Sequence, residues 1–103
     1  MVRELNQENF ENEVKAEGLV IVDFYATWCG PCKVLGANLE KISEERTDIK
    51  FCKCNVEDCP DISGQFGIRN VPVTMYFKNG EPVDMIVGLR TEQQIKEDMQ
   101  KHL

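Results

Sequence analysis

The sequence predicts an α/β protein, a mixed central β-sheet with helices on both faces. Three observations carry the prediction. Leu19 to Ala26 is an apolar run broken only by Asp23, the pattern of a strand buried on both faces of a parallel sheet. Helical periodicity alternates with strand-like segments on either side of that run, which calls for parallel crossovers. Lys78-Asn79-Gly80-Glu81 carries the Asn-Gly hairpin signal, so the last two strands pair antiparallel. The resulting order is βαβαβαββα. At 103 residues the chain is long enough for one domain, 1–103, around one core.

Val2 to Leu5 reads as a short edge strand. Asn6 is then the N-cap of a helix with Phe10 and Val14 four apart on one face, and Gly18 ends it. After the Leu19–Ala26 strand, Cys32, Leu35, Leu39 and Ile42 recur on one face of a helix that runs to Arg46. Its outer face carries Lys41 and Glu45, an exposed pair of little energetic weight. Ile49 to Val56 is the next strand, with Cys52, Cys54 and Val56 alternating with Phe51, Lys53 and Asn55. Asp58-Cys59-Pro60-Asp61 starts a short helix that reaches Phe66, with Gly67 and Asn70 after it. Val71-Pro72 leads into a strand over Val73–Phe77, and Val83–Val87 is its hairpin partner. Thr91-Glu92-Gln93-Gln94 is a capping-box pattern opening a last helix with Ile95, Met99 and Leu103 inward.

Composition narrows the function. A hydrophobic share of 42% and a charged share of 29% fit a soluble globular protein rather than a disordered one. The net charge of −6 argues against nucleic acid, which wants a basic face. No apolar stretch approaches membrane-spanning length, and Met1 to Asn6 lacks the apolar core of a signal peptide. Five cysteines exclude a fully paired secreted framework, so a reducing, cytoplasmic setting is the simpler reading.

The chemistry centres on Trp28-Cys29-Gly30-Pro31-Cys32-Lys33, where the most apolar strand hands over to a helix. First-turn N–H groups lack internal partners and, with the helix dipole, favour negative charge. A thiol there is pushed toward thiolate, the form that attacks disulfides. Cys29 opens the turn and is the better-placed nucleophile; Cys32 lies on the apolar face and is expected to be buried. Gly30 permits a tight approach, and Pro31 is tolerated where a missing N–H costs nothing. The alternative is half a zinc site, but that needs a second ligand pair. Cys52-Lys53-Cys54 has poor spacing for one, and CxxC beside a βαβ pattern points to redox chemistry, with no metal. No GxGxxG is present, so no nicotinamide or flavin is expected to bind.

Other residues keep more than one reading. Asp23 precedes Cys29 by six positions in an apolar strand, where lost hydration raises a carboxyl pKa. It is a partly exposed strand end, a structural acid paired to a lysine, or a proton acceptor for Cys32. Pro72 begins a strand as an edge or turn proline. Cys52 and Cys54 read as inert small apolar residues within a buried strand. Cys59 falls among Glu57, Asp58, Pro60 and Asp61, a polar turn expected to be exposed; a buried helix-start cysteine is the alternative. His102 is the only histidine, and no Cys-His pair supports hydrolysis.

The segment VDFYATWCGPCK, followed in order by KCNVED, FGIRNVP, YFKNGEPV and IVGLR, resembles the thioredoxin family over nearly the whole chain. The resemblance implies the thioredoxin fold and a protein-disulfide reductase that maintains cell redox homeostasis through a Cys29–Cys32 dithiol-disulfide. It implies Asp23 beneath Cys32 as its proton acceptor, with Lys53 as the buried lysine near that acid rather than an ordinary solvated strand lysine. It also implies a cis peptide bond before Pro72, facing the cysteines, which leaves the backbone of Val71 free to pair with an extended substrate. Trp28, Gly30, Pro31, Val71, Pro72 and Gly88 would form a flat apolar patch around Cys29. No cofactor is bound; NADPH is used indirectly, through a flavin-containing thioredoxin reductase. Implied targets are peroxiredoxin, ribonucleotide reductase and methionine sulfoxide reductase. The protein is expected to be a monomer, with a disulfide-linked dimer open to it through Cys59, since animal-type members often carry a cysteine at the matching place. Val73 departs from the family's usual threonine, and Gly36-Ala37 stands where many members have a helix-kinking proline. The rivals are an oxidase or isomerase of the same fold, against which Pro31 argues because isomerases usually carry histidine there, and a scaffold that uses the fold without redox turnover.

Overall fold

The computed structural model describes residues 1–103. Five strands and four helices follow in the expected order: β1 (Arg3–Leu5), α1 (Phe10–Val14), β2 (Leu19–Tyr25), α2 (Gly30–Glu45), β3 (Lys50–Asn55), α3 (Pro60–Gln65), β4 (Val73–Lys78), β5 (Glu81–Val87) and α4 (Glu92–Gln100). They form one sheet in the order β1-β3-β2-β4-β5. β3 runs parallel to both β1 and β2, whereas β4 is antiparallel to β2 and β5.

The two-residue alternation of β2 assigns each side chain to a layer. Val20, Val22 and Phe24 share a core with Phe10 and Val14 of α1. Leu19 and Ile21 share the opposite core with Leu35, Leu39 and Ile42 of α2 and Ile95 and Met99 of α4. Asp23 continues the second series, so the period that buries Leu19 and Ile21 also turns a carboxylate toward the α2 side.

The local signals work as expected at the hairpin and at α4. Asn79 and Gly80 take φ 51° and 86°, the left-handed pair that a two-residue hairpin needs. Thr91 Oγ1 accepts from the N–H of Gln94, and the Gln94 side chain accepts from the N–H of Thr91.

Four expectations need correction. Asn6 does not cap α1. Its Oδ1 accepts from the N–H groups of Glu8 and Asn9 at 2.9 and 2.8 Å, making a separate turn, and the helix starts only at Phe10. β5 begins at Glu81, because Pro82 lies on an edge strand where its missing N–H breaks no ladder. Leu103 is 49% exposed, since α4 ends at Gln100. Asp98 is buried instead, with both carboxylate oxygens 2.9 Å from the Arg90 guanidinium.

The fourth correction is Cys59, which is fully buried rather than exposed. The carbonyl of Asn55 accepts from the N–H groups of Asp58 and Cys59 at 3.0 and 3.1 Å. That turn folds Cys59 back under the sheet while Pro60 and Asp61 stay outside. Cys59 lies against Cys54, with the Cα atoms 6.8 Å apart, so Cys54 is not an isolated apolar filler, and the buried Cys59 presents no sulfur to a second molecule. Cys52 is buried without a sulfur partner, as expected.

Candidate active site at the junction of β2 and α2

Cys29 is the N-cap of α2, with extended backbone angles of φ −96° and ψ 113°. Its Sγ accepts from the N–H of Cys32 at 3.2 Å, so a first-turn N–H that lacks a helical partner points at sulfur. Pro31 sits in that first turn. Cys29 and Cys32 are joined as a disulfide with Cα atoms 5.3 Å apart. Both are buried, whereas Trp28 beside them is 73% exposed.

Of the other expected patch residues, Val71 comes up against this pair. The Val71–Pro72 bond is cis, and the Val71 carbonyl oxygen lies 3.9 Å from Cys29 Sγ. The N–H of Gly88, at φ 104°, donates to the Pro72 carbonyl at 2.9 Å. Trp28 and Val71 line a groove with Val56, Ile68, Arg69 and Asn70. Gly30 and Pro31 are exposed, while Pro72 lies buried beneath the surface that they help to form.

Behind the cysteines is a cavity of about 400 Å³, lined among others by Asp23, Cys32, Gly36 and Lys53. A Cβ on Gly36 would stand 3.9 Å from Asp23 Oδ2, so α2 passes directly over the carboxylate. Asp23 is 2% exposed, and its Oδ1 has no hydrogen-bond partner. Burial pushes its pKa from the ordinary 3.8 up to about 7; Lys53 opposes the rise and Glu4 adds to it.

Lys53 is half-buried and lies opposite both Asp23 on β2 and Glu4 on β1. Its Nζ is 3.9 Å from Glu4 Oε1 and 5.7 Å from the centre of the Tyr25 ring. The Tyr25 hydroxyl donates to the same Glu4 oxygen at 2.7 Å. Glu4 and Tyr25 were not legible as site residues in the sequence. Their nearness to Lys53 depends on the register of β1 against β3, which no local pattern encodes.

The Thioredoxin family model matches residues 1–101. The chain belongs to the thioredoxin family. It is 40% identical to the thioredoxin of Listeria monocytogenes over all of both chains. It is 39% identical to that of Rickettsia typhi, also over all of both, and 38% identical to that of Chlamydia caviae over 99% of each. A solved chain from work on the thiol resolving mechanism of yeast mitochondrial 1-Cys peroxiredoxin, via the glutathione and thioredoxin systems, superposes with a TM-score of 0.87. That chain is 30% identical, with 97% of this chain and 94% of the other covered.

As a thioredoxin-family member the protein is a thiol-disulfide oxidoreductase, and its cysteine pair at bonding distance fits a dithiol-disulfide reductase. The family works without a bound cofactor, its two electrons being carried on the cysteine sulfurs. No group of three or more His, Cys, Asp or Glu is clustered as a metal site. No helix is long and apolar enough to cross a membrane.

Proposed function

We propose that the protein is a general protein-disulfide reductase in which Cys29 attacks, Cys32 resolves and Asp23 accepts the proton of Cys32. The observation that supports this reading is that one helix start and one cavity hold the three groups. Cys29 Sγ takes the Cys32 N–H at the start of α2, and a buried carboxylate lines the cavity behind Cys32.

The Cys29 thiolate attacks one sulfur of a target disulfide. The target S–S bond breaks, and the departing sulfur takes a proton. Asp23, with a pKa near neutrality, then removes the Cys32 proton; a base poised close to working pH is the most effective one. The Cys32 thiolate attacks Cys29 Sγ, the mixed disulfide breaks, and the second target sulfur leaves. The target gains two electrons and two protons, and the protein is left with the Cys29–Cys32 disulfide. Lys53, opposite Asp23 on the neighbouring strand, favours the ionised carboxylate and so offsets part of the effect of burial. Trp28, Gly30, Pro31, Val71 and Gly88 serve as the substrate-docking surface, with Pro72 shaping it from beneath, and an extended target segment pairs with the Val71 backbone.

The electrons come from outside, by way of an NADPH-dependent thioredoxin reductase. Peroxiredoxin, ribonucleotide reductase and methionine sulfoxide reductase are the target classes. The likeness to a chain studied in the resolution of a peroxiredoxin supports the first of these. The whole chain, 1–103, works as one domain and a monomer in the cytoplasm.

Trapping tests the assignment. Cys32→Ser leaves Cys29 able to attack and removes the resolving thiol. Non-reducing pull-down should recover covalent partners with this variant and none with Cys29→Ser. Equal trapping by both would refute the division of roles.

A further inference from the structure

We propose that Cys54 and Cys59 form a second dithiol-disulfide couple, on the sheet face opposite Asp23, which clamps α3 to β3 when oxidised. Alternation along β3 turns Cys52 and Cys54 to the same face, into the core that also holds Leu5, Phe10 and Phe24. The Asn55 turn then brings Cys59, the residue before α3, back against them. The Cα atoms of Cys54 and Cys59 are 6.8 Å apart, within the span of up to about 6.8 Å that a disulfide bridges. Cys52 is the internal comparison. It is buried in the same cluster, burial pushes its pKa up to about 11, and it has no sulfur partner. Burial alone therefore does not pair a cysteine here; the turn does.

Neither sulfur is open to solvent, so exchange proceeds by opening of a small unit. That unit is the turn after β3 and the six-residue α3, whose N-cap Cys59 makes no side-chain capping bond. Short segments of this kind open well before the whole fold does. With a peroxide as oxidant, the opened Cys59 thiolate attacks one oxygen and breaks the O–O bond, and the other oxygen leaves as water. The Cys54 thiol then displaces a second water from the Cys59 sulfenic acid. Two S–H bonds are replaced by one S–S bond, and the peroxide carries off the two electrons as water. A dithiol reductant reverses the step by becoming a disulfide itself and returning both protons. The consequence reaches the substrate side. The chain leaving α3 supplies Ile68, Arg69, Asn70 and Val71, one wall of the groove beside Trp28.

The test is peptide mapping after hydrogen peroxide treatment of the Cys29→Ser/Cys32→Ser variant. Trypsin cleavage after Lys53 and Arg69 places Cys54 and Cys59 on one peptide and leaves Cys52 on Phe51–Lys53. After alkylation in denaturant, the 54–69 peptide should be unalkylated and two hydrogens lighter, with Cys52 fully alkylated. Dithiothreitol should restore alkylation at both sites. Amide exchange across Pro60–Gln65 should slow in the oxidised form. The same mapping works on the unmodified chain, because Cys29 and Cys32 fall on a separate peptide. Full alkylation of Cys54 and Cys59 after peroxide, a bridge to Cys52, or linkage between molecules would overturn the couple. Unchanged amide exchange would overturn the clamp.

Discussion

Replacing Asp23 by asparagine should stabilise the oxidised protein by an amount that depends on pH. The ordinary carboxyl value of 3.8 rises to about 7 in the fold, chiefly because burial penalises the charged form. Each decade of proton affinity corresponds to about 1.36 kcal/mol. The sign follows from linkage. Below 3.8 the carboxyl is protonated in both folded and unfolded chains and costs nothing extra. Between 3.8 and about 7 the folded state holds a proton that the unfolded state has released, so stability falls as pH rises. Above that window the full cost of a buried charge is present, about 4 kcal/mol. Asparagine keeps the shape and removes the charge, and its own burial cost does not vary with pH. The advantage of Asp23→Asn over the parent should therefore grow by about 3–4 kcal/mol between pH 4 and pH 8. Guanidinium unfolding of both oxidised proteins at the two pH values measures it. An advantage that is equal at both would mean that Asp23 is solvated or firmly paired, and would refute its role as a buried base. The same variant should resolve mixed disulfides more slowly near neutral pH.

Two further perturbations probe the surroundings of the site. Glu4→Gln removes a charge that raises the Asp23 pKa and that shares Lys53. The pH profile of the resolving step should shift to lower pH, and stopped-flow resolution of a mixed disulfide would detect it; an unmoved profile would detach Glu4 from the site. Pro31→His should make the disulfide a stronger oxidant, because a histidine beside Cys29 stabilises its thiolate. A rise of about 30 mV, worth about 1.4 kcal/mol for a two-electron couple, should appear on equilibration with glutathione, and an unchanged or lower potential would contradict the account of Pro31.

What was legible in the sequence is what local chemistry controls. The hairpin followed from Asn79-Gly80, the α4 start from Thr91 and Gln94, and the buried strand from the Leu19–Ala26 run. Cys29 and Cys32 stood out as candidates through the helix start that follows the apolar run, whereas the place of Asp23 beneath Cys32 came from the family resemblance, since its local sequence left three readings open. Where the reading failed, longer-range or competing interactions decided. Asn6 used its side chain for a turn of its own, which delayed α1. The polar neighbours of Cys59 point to an exposed turn, yet the Asn55 turn and the Cys54 side of β3 set its environment. The link from Glu4 to Lys53 and Tyr25 arises from the pairing of β1 with β3, across sequence separations that no motif spans.

Whether Cys29 and Cys32 pass electrons outward to protein disulfides is decided by the equilibrium potential of that pair against glutathione. A value near the roughly −270 mV of thioredoxin is expected, well below the roughly −180 mV of protein disulfide isomerase. A potential at or above the isomerase value would contradict it, since electrons would then flow into the pair rather than out of it.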